Sequence, residues 1–354
     1  MNVTLTHQFP PVAGNPRNSE GAFIRGKQGE ILFAYSCYHG ESNHDHASCD
    51  IALTVSWDEG KTWEEPRLIA HASEFGVENI MSVSALEQKN GDIAFYYLIK
   101  EQDLTTTIGR SLSSDGVSFR NERCRADFPP YYYVINNDRL VRLKNGRILA
   151  PAAYITAEDC RAERRVPYIT TLLISDDDGA SFYKADFDFT TTDKQNTRYG
   201  LQEPGVLERP DGSLYLWMRT NYYCQYESES DGDVNVFTVP HASGFTSPPS
   251  PMQVKDFDGV RYAIYNPIPK YDGHIEQKGS WFRTPFVLRK SIDGGNSWGV
   301  LNIIEDESTR GYCYPAIFKT NDNALLLGYC RGSGEDGTTL CRLGIAKIEI
   351  ASID

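Results

Sequence analysis

The sequence predicts an all-β fold: a six-bladed β-propeller with four antiparallel strands per blade, in one domain spanning residues 1–354. Three observations predict it. A turn followed by a short apolar strand recurs six times, amphipathic helical periodicity is nearly absent, and the composition (29 Gly, 18 Pro, 21 Tyr) is that of a chain with many turns and aromatic-rich strands.

The recurring unit is a Gly- or Asn-bearing turn before a β-rich run. Its copies are Gln28-Gly29 before Glu30–Tyr35, Asn90-Gly91 before Asp92–Tyr97, Asn145-Gly146 before Arg147–Tyr154, Asp211-Gly212 before Ser213–Met218, Asp258-Gly259 before Val260–Tyr265, and Asp322-Asn323 before Ala324–Tyr329. Turn residues that tolerate positive φ between apolar runs are hairpin signals. The turns at 29, 91, 146, 212, 259 and 323 recur on average every 59 residues, and six such units fill 354. Radial closure hides the sheet edges that otherwise invite aggregation. The last strand-like segment, Leu340 to Ile350, is expected to pair with N-terminal residues and close the ring. A pair of β-sandwiches is the alternative and needs no constant period.

A second motif lies between the turns. Ser56-Trp57-Asp58-Glu59-Gly60-Lys61-Thr62-Trp63 reads S-x-D-x-G-x-T-W; Ser175–Phe182 and Ser291–Trp298 repeat it, and weaker versions lie near Ser111–Phe119 and Ser228–Val234. The spacing suits a hairpin turn: the Asp accepts turn N–H groups, the Gly takes the left-handed position, and the aromatic anchors the turn to its blade. These Asp residues are structural punctuation, not catalysts.

Composition excludes several function classes. The net charge of −13 and the absence of any Lys/Arg block argue against nucleic acid, which is bound through clustered cations. No apolar run approaches the roughly 20 residues of a membrane helix. Met1–Gly14 has neither a basic nor an apolar leader region, so a cytoplasmic location is expected, or a secreted one if a leader has been removed. The eight cysteines (37, 49, 124, 160, 224, 313, 330 and 341) form no CxxC pair and read as free thiols of a reducing compartment. No P-loop, dinucleotide fingerprint or Ser-His-Asp order is present.

The S-x-D-x-G-x-[ST]-[WF] motif is the Asp-box, and with the sixfold repeat the chain resembles the sialidase (neuraminidase) superfamily, whose BNR-repeat propellers are glycoside hydrolases. The box also occurs in propellers without catalysis, so the chemistry must come from other residues. The resemblance implies a sialidase-like fold and an exo-acting, retaining hydrolase that releases a terminal sialic acid or related acidic sugar. Such a reaction needs cations for the carboxylate, a nucleophile for the anomeric carbon and an acid for the leaving oxygen. The implied nucleophile is a Tyr, which is weak at neutral pH and needs an adjacent base. Arg suits the carboxylate, because its planar fork bonds both oxygens and stays protonated.

Glu203 in Gln202-Glu203-Pro204-Gly205 and Arg219 in Trp217-Met218-Arg219 lie 16 residues apart across one hairpin. By resemblance Glu203 is the activating base and Arg219 a carboxylate ligand. Arg283, in Trp281-Phe282-Arg283-Thr284-Pro285, resembles the last Arg of the family's triad. Tyr312, in Arg310-Gly311-Tyr312-Cys313-Tyr314-Pro315, resembles the nucleophile, with Tyr314 as its rival because the two share a face in a regular strand. Arg17 is the candidate first Arg, although the family's Arg-Ile-Pro motif is missing; Arg25 is the alternative. Glu20 can also reach the pocket, where it would repel a substrate carboxylate unless it hydrogen-bonds a sugar hydroxyl. Asp45, 11 residues before Ser56, matches the family's acid/base, with Asp50 second.

His44, His46 and Cys49 share that loop, but H-x-H-x-x-C is not a zinc-ligand spacing, and His46 is expected to orient the acid or bond substrate. Asn136-Asn137-Asp138-Arg139 reads as a packed turn, as sugar ligands or as an extra cation, and Tyr131–Tyr133, Tyr222, Tyr223 and Tyr226 as blade packing or sugar platforms. No metal and no cofactor is implied. The expected partner is an oligosaccharide or glycoconjugate, without nucleic acid or membrane, and the oligomeric state is left open. Two rivals remain: a propeller glycosidase for another sugar, and a non-catalytic glycan-binding propeller.

Overall fold

The computed structural model describes residues 1–191, 200–268 and 283–354. Within them are twenty-six strands, one short α-helix (Ala157–Arg161) and two 3₁₀ turns (Ala72–Phe75, Ile350–Ser352). Each of the six apolar runs singled out in the sequence becomes the second strand of an antiparallel meander: Ile31–Tyr38, Ile93–Lys100, Ile148–Ile155, Leu214–Arg219, Val260–Tyr265 and Ala324–Cys330. These strands are almost wholly buried, as strands packed on both faces must be.

The strands form five hydrogen-bonded sheets arranged as a propeller. Three are simple four-stranded antiparallel sheets. One runs Gln202–Glu208, Leu214–Arg219, Cys224–Ser230, His241–Thr246; the next runs Gln253–Phe257, Val260–Tyr265, Phe286–Ser291, Asn302–Glu305. The third holds Cys313–Lys319, Ala324–Cys330, Leu343–Glu349 and, from the other end of the chain, Val3–Phe9. The expected pairing of the chain's two ends is therefore present, from Val3 opposite Ile348 to Phe9 opposite Leu343. A six-stranded sheet is built on Ile148–Ile155, against which both Tyr132–Val134 and Val141–Arg142 pair. Where the sequence predicts six four-stranded blades, the structure has five sheets, of which one has eight strands and one six. Two meanders, Asn18–Arg25 to Arg67–Ala70 and Asn79–Glu87 to Arg120–Arg123, are joined by one parallel pair, Cys49 with Asn79.

The first strands face a common axis. Asn18–Arg25 packs on both Asn79–Glu87 and Cys313–Lys319, and Gln253–Phe257 packs on both Gln202–Glu208 and Cys313–Lys319. Apolar layers fill the wedges between neighbouring sheets. Phe9, Phe23, Phe33, Tyr35, Leu326 and Ile345 join the last sheet to the first meander, and Ala22, Leu32, Ile51, Ile80 and Phe95 join the first meander to the second. Each fully buried large apolar side chain stabilises the fold by roughly 1.5–3 kcal/mol, so the wedges, not the loops, carry the stability.

Four inner strands break their register near the axis, between Ser19 and Ala22, Met81 and Ser84, Gln202 and Gly205, and Cys313 and Ala316. Within each bulge one non-glycine residue adopts positive φ: Glu20 (56°), Ser82 (63°), Glu203 (46°) and Tyr314 (55°). Asp138 (58°) does the same in the segment before Val141–Arg142. A bulge re-aims a side chain that the strand would otherwise bury, and left-handed backbone at a non-glycine residue is strain that clusters at functional sites.

The Asp-boxes are turns, as the sequence predicts. Asp58 accepts the backbone N–H groups of Lys61 (3.0 Å) and Thr62 (2.9 Å) and the Thr62 hydroxyl (2.6 Å), while Gly60 holds φ 80°. Asp177 and Asp293 repeat the pattern.

Candidate active site

Glu203 and Tyr314 stand on equivalent bulges of two inner strands, and the Tyr314 phenol donates a hydrogen bond to Glu203 Oε1 at 2.8 Å. Gln202 pairs with Arg219 in the adjoining strand, which puts the guanidinium beside Glu203, Nη1 to Oε2 at 2.7 Å. Arg283 lies over the Tyr314 ring, 5.3 Å from its centroid, with Nη1 on the Cys313 sulfur at 3.0 Å. Burial pushes the Glu203 carboxyl up, but the guanidinium groups of Arg219 and Arg283 outweigh it and hold the group below the usual carboxylate range. Burial and the Glu203 charge push the Tyr314 phenol well above its ordinary value. The result is an ionised acceptor facing a protonated phenol.

Arg17 is buried on the other side of the site, stacked on Tyr38 at 4.4 Å. Its guanidinium meets Asp45 Oδ1 (2.5 Å), the Asn43 carbonyl (3.2 Å), Ser19 Oγ (3.0 Å) and Glu20 Oε2 (3.1 Å). Asp45 sits on an open loop with its side chain 57% exposed. The loop is tied down by Lys100, whose Nζ donates to the Asp45 carbonyl (2.5 Å), and by Asn79, which donates to the Ala47 carbonyl (2.6 Å). Partial loss of hydration pushes the Asp45 carboxyl up, but the cations of Arg17 and Lys100 prevail and hold it well below the usual range. Glu20 moves the other way: burial lifts its carboxyl above the ordinary value against the pull of Arg17, and Asp45 and Glu203 add to the lift. Glu20 thus lies within electrostatic reach of both halves, and the two form one constellation. Its floor is braced by Asn137, whose side-chain amide donates to the carbonyls of Gly21 (2.8 Å) and Tyr314 (3.1 Å).

The residues proposed from sequence divide as follows. Arg17, Asp45, Glu203, Arg219 and Arg283 converge. Tyr312 does not. Its ring is stacked near Phe286 (6.1 Å) and Tyr329 (6.4 Å) in the apolar wedge, and its buried hydroxyl has no hydrogen-bond partner among the described residues. The pairing with Glu203 expected of Tyr312 is made by Tyr314. The reason is the bulge: residues two apart share a face only in a regular strand, and this strand slips its register between Cys313 and Ala316. Asp50 is engaged elsewhere, by His71 Nδ1 (2.9 Å), His39 Nε2 (3.1 Å) and the Ala72 N–H (2.8 Å). Arg25 pairs with Glu59 outside the site. Trp281 and Phe282 lie outside the described residues.

Lys100 was not singled out from sequence, because a lone Lys at the end of an apolar strand carries no signal. Tyr314 did carry one. Glu203-Pro204 and Tyr314-Pro315 stand at matching places before their blade turns, and Gly311-Tyr312 has no such counterpart. Arg139 is buried on Gln253 Oε1 (2.6 Å) and the Met252 carbonyl (2.5 Å), within electrostatic reach of Glu203 and Tyr314, and Asp138 bonds Lys255 and the Ile317 N–H. Tyr131 stacks on Tyr154 at 4.9 Å, and Tyr222 lies 5.7 Å from Tyr226, both as blade packing. His46 lies near Tyr132 (5.7 Å); burial and the charge of Lys100 push its imidazole down to about 4, so it is neutral at physiological pH. Among the described residues no group of His, Cys, Asp and Glu has a geometry that could hold a metal ion, and no helix is long and apolar enough to cross a membrane.

Chemically, the arrangement offers a phenol hydrogen-bonded to a carboxylate, two guanidinium groups beside it, and an exposed carboxylate on the far side. The BNR repeat-like domain family matches residues 29–328. No curated protein sequence matches the chain. Among solved structures, the Hadza microbial sialidase Hz136 is similar over 96% of this chain and 67% of its own (TM-score 0.73, 15% identity). A protein of unknown function from Dyadobacter fermentans is similar over 98% of this chain and 99% of its own (TM-score 0.71, 20% identity). The NanB sialidase of Streptococcus pneumoniae is similar over 99% and 71% (TM-score 0.70, 14% identity).

Proposed function

Because the chain belongs to the BNR repeat-like domain family, we propose that it is a retaining exo-glycosidase of the sialidase type, releasing a terminal sialic acid or related acidic sugar. The reading takes the eight-stranded sheet as two blades, so that six surround one axial site in a single domain. The observation that carries it is the 2.8 Å hydrogen bond from Tyr314 to Glu203, flanked by Arg219 and Arg283.

Tyr314 attacks the anomeric carbon as its phenolic proton passes to Glu203, and the bond to the leaving oxygen breaks as Asp45 protonates that oxygen. Water then displaces the tyrosine, giving one proton to Asp45, while Glu203 returns its proton to the phenolate. Arg219 and Arg283 hold the substrate carboxylate. In the empty site Arg17 holds Asp45 ionised. A substrate carboxylate that competes for Arg17 loosens that pair, and the Asp45 pKa rises towards that of an acid catalyst. No cofactor takes part.

A second reading, a glycosidase for a different sugar, is favoured by Arg17 already bonding two carboxylates, Asp45 and Glu20. A panel of aryl glycosides separates the two. Turnover of the aryl α-sialoside, with retained anomeric configuration by NMR, is the expected result. Turnover of a neutral glycoside alone moves the assignment to the second reading, and turnover of none removes both in favour of a glycan-binding propeller.

A further inference from the structure

Glu20 has no part in the proposed reaction, yet it holds on its strand the place that Glu203 and Tyr314 hold on theirs. All three lie in a register shift of an inner strand, with positive φ. The Glu20 residue is 5% exposed. Oε2 is occupied by Arg17 Nη2 (3.1 Å) and Ser19 Oγ (3.3 Å), but among the described residues Oε1 meets only Ser82 Oγ at 3.4 Å, near the limit of a hydrogen bond. A buried carboxylate oxygen so poorly occupied is costly unless a donor arrives.

Holding Arg17 does not by itself explain the residue, because Asp45 already pairs with that guanidinium at 2.5 Å. Nor does it explain why the backbone is forced into a left-handed turn here. Glu20 also places negative charge near Glu203 and Asp45, in a site proposed to take an acid. Hydroxyl donors from the ligand would satisfy Oε1 without adding a like charge.

We propose that Glu20, with Ser82 beside it, binds hydroxyl groups of the sugar and so sets specificity for a polyhydroxylated substrate. This rests on the glycosidase reading above. The carboxylate of the sugar lies among Arg17, Arg219 and Arg283, and a hydroxyl lies against Ser82 Oγ and Glu20 Oε1, the carboxylate oxygen that Arg17 does not occupy.

The test compares wild type, Glu20→Gln and Ser82→Ala on an aryl sialoside and on a series of its deoxy and side-chain-truncated analogues. Glu20→Gln is expected to lose about tenfold or more in kcat/KM on the full substrate. On the analogue that lacks the bonded hydroxyl, wild type is expected to fall to the level of the variant, and the variant to lose nothing further. Ser82→Ala is expected to show a smaller loss with the same analogue dependence. If both variants lose one constant factor on every analogue, Glu20 only holds Arg17 and the proposal is overturned. If wild type turns over no glycoside, the reaction reading fails separately. The comparison is then made on Kd of the free sugar acid and its deoxy forms by calorimetry, where the absence of any analogue-dependent effect of Glu20→Gln overturns the proposal.

Discussion

Two tyrosines two positions apart have opposite environments, and this makes the nucleophile assignment testable at the level of single atoms. Tyr314→Phe removes the hydrogen bond to Glu203 and is expected to abolish turnover of an activated substrate. Tyr312→Phe removes a buried hydroxyl without a partner among the described residues. It is expected to leave kcat/KM within about twofold and to keep or raise Tm, because deleting an unsatisfied buried polar atom recovers about 1 kcal/mol. A Tyr312→Phe protein that is inactive but folded would reverse the assignment. The pH profile gives a second test. Arg219 and Arg283 hold Glu203 below the ordinary carboxylate pKa of about 4.3, so the stability it contributes is present above that value and is lost as pH falls through its folded pKa. Arg219→Met removes a cation, which makes ionisation harder and raises that pKa. The acid limb of kcat/KM is expected to move up by about one pH unit or more, whatever happens to the maximal rate. A limb that stays in place would show that another group governs it.

The hairpin turns and the bulges of the inner strands divide the labour between stability and chemistry. In the first meander the loop with Asp45 enters the strand Cys49–Ser56 at one end and the Asp-box leaves it at the other. Eight residues at about 3.3 Å each separate the two by about 25 Å. Asp58→Ala therefore loses turn hydrogen bonds worth roughly 1–3 kcal/mol and should lower Tm by a few degrees, with kcat and KM unchanged. A fall in kcat/KM without a fall in Tm would contradict this division. The turns and the strands after them were legible in sequence because both signals are local: a residue that tolerates positive φ, then a β-rich run. The bulges were not legible. They place Glu20, Glu203 and Tyr314, and they arise where a strand's register conflicts with packing against its neighbours around the axis.

At the scale of the molecule, the ring is closed by Val3–Phe9 along Leu343–Glu349, with Phe9 packed among Phe33, Tyr35 and Ile345. Deleting Met1–Phe9 exposes the edge of Leu343–Glu349 and opens that wedge. The truncated protein is expected to unfold at a markedly lower temperature by calorimetry and to self-associate in light scattering, since an open β edge is a template for pairing. A truncation with unchanged Tm and a monodisperse profile would show that closure contributes little. Because the site draws on residues 17 to 314 of the chain, opening the ring should also reduce activity in the surviving folded fraction.

By itself the sequence determined the repeat, the all-β character and the Asp-box turns, since each follows from local propensity recurring at a regular interval; the pairing of the chain's ends was expected only from the repeat needing to close. It also named most of the converging charged residues, by their likeness to a known family. Only the tertiary structure decided that Tyr314, and not Tyr312, meets Glu203, that Arg17 holds both Asp45 and Glu20, and that Lys100 anchors the Asp45 loop. Those contacts join residues tens to hundreds of positions apart, and their geometry is set by where bulged inner strands meet at the axis, a quantity that no local pattern of side chains encodes.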